Sequence, residues 1–149
     1  MIRFFSEQYH FLSNFYKVPM MINGGFYLTV EHYYQAMKSL DAEEQNRIKD
    51  APTASIAKHL GRAIVLRNDW EDVKEDFMLQ GLREKFRQHY NLAIKLLDTE
   101  NKTLVEGNNW HDRYWGICYC EKCKGKGLNR LGVLLMKVRS ELPRWRLFS

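Results

Sequence analysis

Apolar and polar positions along this chain follow two periods, and most of the length follows the helical one. Short apolar runs at 2–5 and 26–29 are typical of strands, and Asn23-Gly24-Gly25 marks a turn before the second. Further extended segments are expected at 104–106 and 114–119. Because these segments are few and short, the pattern predicts no more than a small sheet.

Six segments show the helical period, and they begin near positions 30, 42, 52, 70, 92 and 130. Four of them follow a residue suited to cap a helix N-terminus, namely Thr29, Asp41, Asp69 and Asn129. Glu44 makes the start of the second resemble a capping box. We expect the third helix to end at Gly61, the longest at about His89 and the last at Pro143. The pattern predicts an α+β fold, a helix-rich single domain over 1–149 with a small β-sheet and a short basic tail at 143–149.

The helix that begins after Thr29 carries a polar stripe made of Glu31, Gln35 and Lys38. At ~100° per residue the three side chains fall within about 60° of one another. A separate apolar stripe lies roughly a quarter turn away and consists of Val30, Tyr34, Met37 and Leu40. The polar stripe is therefore either a solvated helix edge or one wall of a cleft. In a cleft, a carboxylate and an amine on one rigid helix supply acid/base chemistry and a nucleophile.

Length and composition narrow the class of protein. The 149 residues are 45% hydrophobic, enough for one domain with its own core. The N-terminal residues lack the apolar run of a signal peptide, and no apolar stretch approaches the ~18 residues of a membrane span. We therefore expect a cytoplasmic protein that does not associate with a membrane.

The net charge of +5 is unevenly distributed. From 113 to 149, nine Lys and Arg face two acidic residues, a balance of +7, so the remainder carries −2. A basic C-terminal quarter is typical either of a protein with an anionic partner, such as a phosphorylated small molecule or nucleic acid, or of a solubilising surface.

Two loops in the basic part of the chain are candidate ligand-binding segments. The loop at 107–116 combines glycines with Asp112, Trp110 and Trp115, and such rings either stack on a planar base or anchor a core. Asp112 could equally begin a turn. The segment at 125–130 offers cations and a helix N-terminus to an anion, or is a glycine-rich linker ending at Asn129.

Cys118, Cys120 and Cys123 are an odd number of thiols within six positions, which is not a disulfide framework. With His111 or another fourth ligand they could bind zinc. Because the spacing differs from a common zinc knuckle, the default interpretation is a cysteine-containing hairpin without metal.

These segments together resemble the NADAR superfamily, whose YbiA-like branch contains N-glycosidases. The longest matching motif is Glu31-His32-Tyr33-Tyr34-Gln35-Ala36-Met37-Lys38. The other landmarks follow in family order at 5–6, 12–15, 61–62, 68–70, 82–86, 104–106, 112, 115–116, 129–132 and 135–136. The resemblance implies cleavage of the bond between ribose C1′ and a nitrogenous base.

Members of the superfamily have at least two activities. One releases ribose phosphate from pyrimidine precursors of riboflavin, and the other removes ADP-ribose from modified guanine in nucleic acid. This sequence departs from the YbiA-like pattern at 117–124, where a cysteine- and lysine-containing insertion replaces a short glycine-rich link. The insertion adds cations, and Arg144-Trp145-Arg146 in the tail could contact a phosphate backbone and stack on a base. We therefore favour the ADP-ribosyl-guanine substrate.

The resemblance implies catalytic roles for the polar stripe. Glu31 would stabilise an oxocarbenium-like state and carry protons, while Lys38 would attack C1′ and form a Schiff base. That attack needs a neutral amine, which burial or the cations of the C-terminal quarter would have to favour against Glu31. Otherwise Lys38 is a phosphate or hydroxyl ligand and Glu31 activates water. Asp112 is a third candidate, for orienting ribose hydroxyls or assisting proton transfer.

The remaining candidates are expected to bind substrate, and they are Ser13, Asn14, Phe15, Tyr34, Gln35, Arg62, Trp70, Trp115, Gly116, Lys126 and Asn129. Trp70 and Trp115 would stack on the base, and Arg62, Lys126 and Asn129 would hold phosphates. No cofactor is expected, and the partner would be ADP-ribosylated nucleic acid or a phosphoribosylated nucleobase metabolite. A non-catalytic binder of ADP-ribose would use the same aromatic and basic residues but would not need Glu31 and Lys38 together.

Overall fold

The structure, a computed structural model, describes the backbone of residues 1–146 and the side chains of residues 1–143. In chain order its helices are α1 (Val30–Ala36), α2 (Ala42–Lys49), α3 (Ala54–Gly61), α4 (Trp70–Gln88), α5 (Tyr90–Leu97) and α6 (Arg130–Arg146), preceded by a 3-10 helix at Glu7–Leu12. The strands are β1 (Met20–Ile22), β2 (Gly25–Tyr27), β3 (Gly107–Asn108) and β4 (Ile117–Cys118). The predicted helix-rich α+β fold is confirmed. No helix among the described residues is long and apolar enough to cross a membrane.

The strands form two separate two-stranded sheets instead of one small sheet. β1 and β2 are antiparallel, with Met20 opposite Tyr27 and Ile22 opposite Gly25. Asn23 and Gly24 connect them, and both have positive φ (50° and 82°), as tight hairpin turns require. β3 and β4 pair in parallel, with Gly107 opposite Ile117.

The strand predicted at 2–5 is wrong. Only Ile2 pairs, through an isolated bridge to Leu104, and the Arg3 carbonyl accepts a hydrogen bond from the Gly107 N–H at 2.9 Å. Ile2 is opposite Leu104, but the next residue, Arg3, already bonds to Gly107. This jump of three positions breaks the register, so no ladder forms. β1 was missed by the pattern since its three residues are too short to establish a period.

Side-chain capping explains where α1, α2 and α3 begin. Thr29 and Asp41 are confirmed as N-caps, since their side chains accept hydrogen bonds from the His32 and Glu43 N–H groups. α3 begins after Thr53 and not at Pro52, because the Thr53 hydroxyl accepts from the N–H of Ile56.

Two other predicted caps have different partners. The Asp69 carboxylate is paired with Arg67 at 2.6 Å. The Asn129 side chain accepts from the Glu106 N–H at 3.0 Å and donates to the Leu104 carbonyl at 2.9 Å. With a positive φ of 53°, Asn129 also lacks the extended backbone of an N-cap. The Asp69 pair stays within the segment before α4, whereas Asn129 ties the start of α6 to residues 104–106.

The last helix was predicted to end at Pro143, but α6 continues to Arg146 with Pro143 inside it. Pro143 lies in the last turn of α6, where its lack of an N–H costs one backbone hydrogen bond without ending the helix. The predicted buried side of α6 is confirmed at Leu131, Leu134, Leu135, Val138 and Leu142. The proposed contacts of the Trp145 side chain lie outside the described residues.

The chain contains two compact units, which we call the central unit (Asn14–Gln88) and the terminal unit (Met1–Ser13 with the segment from His89 onward). In the central unit, α1 packs against α2, α3 and α4. In the terminal unit, α5 packs against α6. The expectation of one domain over 1–149 stays a prediction.

Candidate active site

Helix α1 is a buried and firmly held scaffold. All seven of its residues are buried. His32 anchors it, since its Nε2 donates to the Ala51 carbonyl at 2.9 Å and its Nδ1 accepts from the Thr29 hydroxyl at 2.7 Å. Burial lowers the pKa of His32, which keeps the imidazole neutral in this pair of bonds. Side chains on α1 are therefore fixed in direction.

Glu31 and Gln35 are joined on this helix. The Gln35 Nε2 donates to Glu31 Oε1 at 2.7 Å, across one helical turn. Glu31 is only 7% exposed and Gln35 only 3%. The Glu31 N–H donates to the Asn14 carbonyl at 3.1 Å, which holds Asn14 against the start of α1. The carboxylate thus lies at a buried edge and not on a solvated face.

Lys38 lies in the turn directly after α1 and not inside the helix. Its N–H donates to the Gln35 carbonyl at 3.2 Å, and its carbonyl accepts from the Arg67 N–H at 2.8 Å. The Lys38 Nζ lies 5.5 Å from the centre of the Tyr34 ring, within the range of a cation–π contact. Hydrogen bonds from both its N–H and its carbonyl therefore fix the Lys38 backbone, from which the amine-bearing side chain extends.

Burial lowers the pKa of Lys38 below its usual value of 10.5. The Glu31 carboxylate acts in the opposite direction, while the positive charges of Arg62 and Lys58 lower the pKa further. Desolvation is the largest of these effects and outweighs the attraction of the Glu31 carboxylate. A fraction of neutral amine becomes accessible at a lower pH than for a solvated lysine.

The cations that act on Lys38 come from α3 and the residue after it. The sequence had suggested the cations of the C-terminal quarter, whereas those that lower the Lys38 pKa are Lys58 and Arg62. The sequence analysis named Arg62 as a site residue but not Lys58. The two are four positions apart, and residues four apart on a helix share a face, so this spacing could have indicated Lys58.

Two buried acceptors next to this edge have no hydrogen-bond donor. They are Asn14 Oδ1 and Gln35 Oε1, the only such side-chain atoms found in the described part of the chain. The Gln35 amide orientation is fixed by its bond to Glu31, and a Cβ at Gly61 would overlap the free oxygen. An unpaired buried acceptor costs about 1–3 kcal/mol. Both oxygens therefore retain acceptor capacity at the buried edge that no described donor uses.

The aromatic candidates of the central unit differ in availability. Trp70 is only 5% exposed and packs against Tyr34, with ring centres 5.1 Å apart, and Phe77, at 6.2 Å. Its ring is committed to the core, so the expected stacking on a base is not supported by its environment. Phe15 is 39% exposed, and the Lys58 Nζ lies 5.8 Å from its ring centre. Phe15 is the more suitable stacking surface.

In the terminal unit, Asp112 shapes its own loop. Its Oδ1 accepts from the N–H groups of Tyr114 at 3.1 Å and Trp115 at 3.0 Å. Asp112 therefore begins a turn, which was one of the two interpretations of this residue. Trp115 is half-buried and meets the Tyr114 ring edge-on at 4.9 Å. At Gly116 a Cβ would overlap the Glu106 carbonyl, so close backbone packing explains this glycine.

The other candidates of this unit are less suited to binding phosphate. Both polar ends of the Asn129 side chain bond to backbone groups, so the expected phosphate contact through that side chain is not supported. Lys126 is exposed and its carbonyl accepts from the Cys118 N–H at 3.0 Å. Ser13 is half-buried and its N–H closes the 3-10 helix by donating to the His10 carbonyl.

The expected site residues therefore fall into two sets. The central unit contains Asn14, Phe15, Glu31, Tyr34, Gln35, Lys38, Arg62 and Trp70. The terminal unit contains Ser13, Asp112, Trp115, Gly116, Lys126 and Asn129. The central set, together with Lys58, combines a buried carboxylate, an amine of lowered pKa, two further cations and two buried acceptors without donors. Such a combination is typical of an acid/base or nucleophilic site.

Comparison with known proteins identifies the class to which this fold and site belong. The family model described as the NADAR domain matches residues 3–143. The chain belongs to the NADAR family. The solution NMR structure of the Escherichia coli protein YbiA superposes with a TM-score of 0.84 and 39% identity, covering 99% of this chain and 88% of that one.

Two similar relatives are named as N-glycosidases. N-glycosidase YbiA of Escherichia coli (strain K12) is 41% identical over 139 residues, covering 92% of this chain and 84% of the relative. N-glycosidase Npun_R5314 of Nostoc punctiforme is 40% identical over 141 residues, covering 91% and 87%. The riboflavin biosynthesis protein VVA0006 of Vibrio vulnificus is 38% identical over 138 residues, which are 91% of this chain and 36% of that longer protein.

Proposed function

We propose that this protein cleaves the bond between ribose C1′ and a nitrogenous base, and that its substrate is ADP-ribosylated guanine in nucleic acid. The chain is a hydrolase of N-glycosyl bonds, the activity for which its E. coli and Nostoc relatives are named. The observation that carries the mechanism is the buried Glu31 carboxylate beside Lys38, an amine whose pKa is lowered.

Cleavage of a ribosyl C–N bond passes through an oxocarbenium-like state. Negative charge near C1′ stabilises that state, and the departing base needs a proton. Glu31 meets both needs in turn. Gln35 holds one of its oxygens at 2.7 Å, which fixes the direction of the carboxylate.

Lys38 serves as the nucleophile in this proposal. Its neutral Nζ bonds to C1′ as the bond from C1′ to the base breaks, and the proton that the amine loses passes through the Glu31 carboxylate to the departing base. The ribose ring then opens with protonation of its oxygen, and a protonated Schiff base remains. Water adds to the imine carbon, and the sugar aldehyde leaves as the free amine returns. The lowered pKa of Lys38 supports this route over direct attack by a water that Glu31 activates.

Substrate recognition would rest on the neighbours of this pair. Lys58 and Arg62 are suited to the pyrophosphate of ADP-ribose. The side-chain oxygens of Asn14 and Gln35 lack donors, so a small rotation of either amide would let it accept from ribose hydroxyls or base N–H groups. Phe15 offers a partly exposed ring for stacking.

The basic surface of this chain favours the ADP-ribosyl-guanine substrate, whereas the names of two relatives favour a second substrate. Lys122, Lys124 and Lys126 are all exposed on the 117–127 hairpin, where a polymer of phosphates would be attracted. A phosphoribosylamino-pyrimidine intermediate of riboflavin synthesis is the second candidate, because relatives from Vibrio vulnificus and Zea mays are named as riboflavin biosynthesis proteins. A module that only binds ADP-ribose would have no use for Glu31 and Lys38 together.

Product analysis separates these candidates. The full chain is incubated with DNA that carries ADP-ribosylated guanine and, separately, with the phosphoribosylamino-pyrimidine, and products are identified by mass spectrometry. We expect free ADP-ribose and unmodified guanine from the first. Turnover of the second alone would transfer the assignment to the riboflavin intermediate. Tight binding without any product from either would indicate the non-catalytic module.

A further inference from the structure

We propose that His111, Cys118, Cys120 and Cys123 form a structural zinc site in the terminal unit. One ligand atom from each residue lies within 4.8 Å of all the others. None of the three cysteines is in a disulfide. This site is independent of the N-glycosidase activity and differs from the metal-free hairpin that the cysteine spacing had favoured.

The distances fit tetrahedral coordination. His111 Nδ1 is 3.4 Å from Cys120 Sγ and 3.4 Å from Cys123 Sγ. With Zn–S near 2.3 Å and Zn–N near 2.0–2.1 Å, a tetrahedron separates nitrogen from sulfur by about 3.5 Å and two sulfurs by about 3.8 Å. One ion at the centre of the four atoms therefore needs only small side-chain adjustments.

The backbone around the cluster is arranged as it is around metal-bound thiolates. The Cys123 N–H donates to Cys120 Sγ, and the His111 N–H donates to Cys118 Sγ, both at 3.3 Å. Such bonds orient sulfur ligands and stabilise their negative charge. His111 has a positive φ of 71°, uncommon for a residue other than glycine. That conformation turns its ring toward the hairpin sulfurs.

The hairpin itself is closed by hydrogen bonds between segments on either side of the cysteines. The Cys118 N–H donates to the Lys126 carbonyl at 3.0 Å, and the Gly125 N–H donates to the Cys118 carbonyl at 2.8 Å. Lys124 and Gly125 both have positive φ (52° and 75°), which makes the tight return after Cys123. The three thiols are therefore held together by the fold and not by chance proximity of long side chains.

Ligand type and charge select zinc and a structural role. Three thiolates and one imidazole suit zinc, and four protein ligands leave no open position for a substrate. The complex would carry one net negative charge, and the exposed cations Lys122, Lys124 and Lys126 on the same hairpin would offset it. The metal would tie the 107–116 loop, including Asp112, to the basic hairpin.

Metal analysis of the full chain tests the proposal. We expect the reduced protein, purified without chelator, to retain one zinc per chain after dialysis. Cobalt substituted for zinc should give the thiolate charge-transfer and d–d absorption bands of a tetrahedral Cys3His site. Reduced protein that holds no zinc and shows no such bands with cobalt would overturn the proposal, as would a Cys120–Cys123 disulfide that persists in zinc-replete cells.

Variants assign the ligands without relying on activity. His111→Asn and Cys120→Ser should lose zinc, whereas His59→Asn, which removes another exposed imidazole, should retain it. A chelator should lower the Tm of the wild type and of His59→Asn, and should leave that of His111→Asn unchanged. If a ligand variant fails to fold, the cobalt spectrum of the wild type still decides. Retention of stoichiometric zinc by His111→Asn would remove His111 from the site.

Discussion

At the scale of single residues, burial controls what the Lys38 amine can do. A solvated lysine beside a carboxylate would stay charged at neutral pH. Here desolvation outweighs the attraction of Glu31, and Lys58 and Arg62 act in the same direction as desolvation. The same residue pair on an open helix face would be an ordinary ion pair. Its chemistry therefore depends on what covers it.

Replacing Glu31 by Gln tests the proton carrier. Glutamine retains nearly the same volume and an oxygen that can accept from Gln35, so the fold and substrate binding should persist. General acid–base groups contribute about 100- to 10,000-fold, and we expect kcat to fall by at least about 100-fold with little change in KM. Glu43→Gln, on the exposed first turn of α2, is the matched control. Turnover of Glu31→Gln within about twofold of wild type would refute the assignment.

Borohydride trapping tests the nucleophile. A Schiff base is reducible, so borohydride added during turnover should attach the sugar fragment to Lys38 and inactivate the enzyme. Lys38→Arg retains the charge but cannot form the adduct, so it should bind substrate without reacting. Peptide mapping of the trapped protein provides the measurement. An active Lys38→Arg protein and no adduct would leave the direct-water mechanism.

The pH dependence of kcat/KM follows from the direction of the Lys38 shift. The reactive neutral amine predominates above its pKa, so activity should fall as pH falls through that pKa, which lies below 10.5. Lys58→Met removes a cation that lowers this pKa and should move the acid limb to higher pH. Lys95→Met removes an exposed lysine of the terminal unit and should not move it. If the acid limb of the kcat/KM profile lay at the same pH in the wild type and in Lys58→Met, the role of Lys58 would be contradicted.

At the scale of elements, α1 is held between two helices through glycines. A Cβ on Gly61 of α3 would overlap the Gln35 oxygen on the polar edge. A Cβ on Gly81 of α4 would lie 3.2 Å from Val30 and Tyr33 carbons on the apolar side. Gly61 therefore limits the polar side of α1, which carries the proposed chemistry, whereas Gly81 limits only its apolar, packed side.

Alanine at each glycine should therefore have opposite effects. Gly61→Ala gains up to about 1 kcal/mol of helix propensity but displaces Gln35, so kcat/KM should fall at least about 10-fold while the free energy of unfolding changes little. Gly81→Ala crowds the core and should destabilise by up to about 2 kcal/mol, with kcat/KM of the folded protein unchanged. Urea unfolding and steady-state kinetics measure both. Full activity in Gly61→Ala would show that Gln35 does not need its position.

At the scale of the whole molecule, the uneven charge distinguishes a polymer substrate from a metabolite. Neutralising several phosphates makes affinity fall steeply with salt. The KM for ADP-ribosylated DNA should rise strongly with ionic strength, whereas that for an ADP-ribosylated nucleoside should rise only slightly. Lys122→Gln with Lys124→Gln should reduce the salt slope, and Lys17→Gln with Lys95→Gln, also exposed, serves as control. Equal slopes for the two substrates would argue against contact with the polymer.

The sequence by itself determined the features that depend on near neighbours along the chain. Helical spacing placed Glu31 and Gln35 one turn apart, and Thr29 marked the start of α1, because both depend only on local geometry. The same reasoning erred at Pro143, because proline was expected to end a helix that continues to Arg146.

Tertiary structure decided what depends on residues far apart in sequence. Lys58 and Arg62 reach Lys38 only because α3 packs on α1. Gly61 limits Gln35 for the same reason, and a backbone turn at His111 brings an imidazole to the three cysteines. Single-residue propensities carry no information about such approaches, since the free energy of packing depends on many contacts at once. The chemical groups could therefore be named from the sequence, whereas the pKa of Lys38 and the grouping of the cysteines with His111 had to come from the fold.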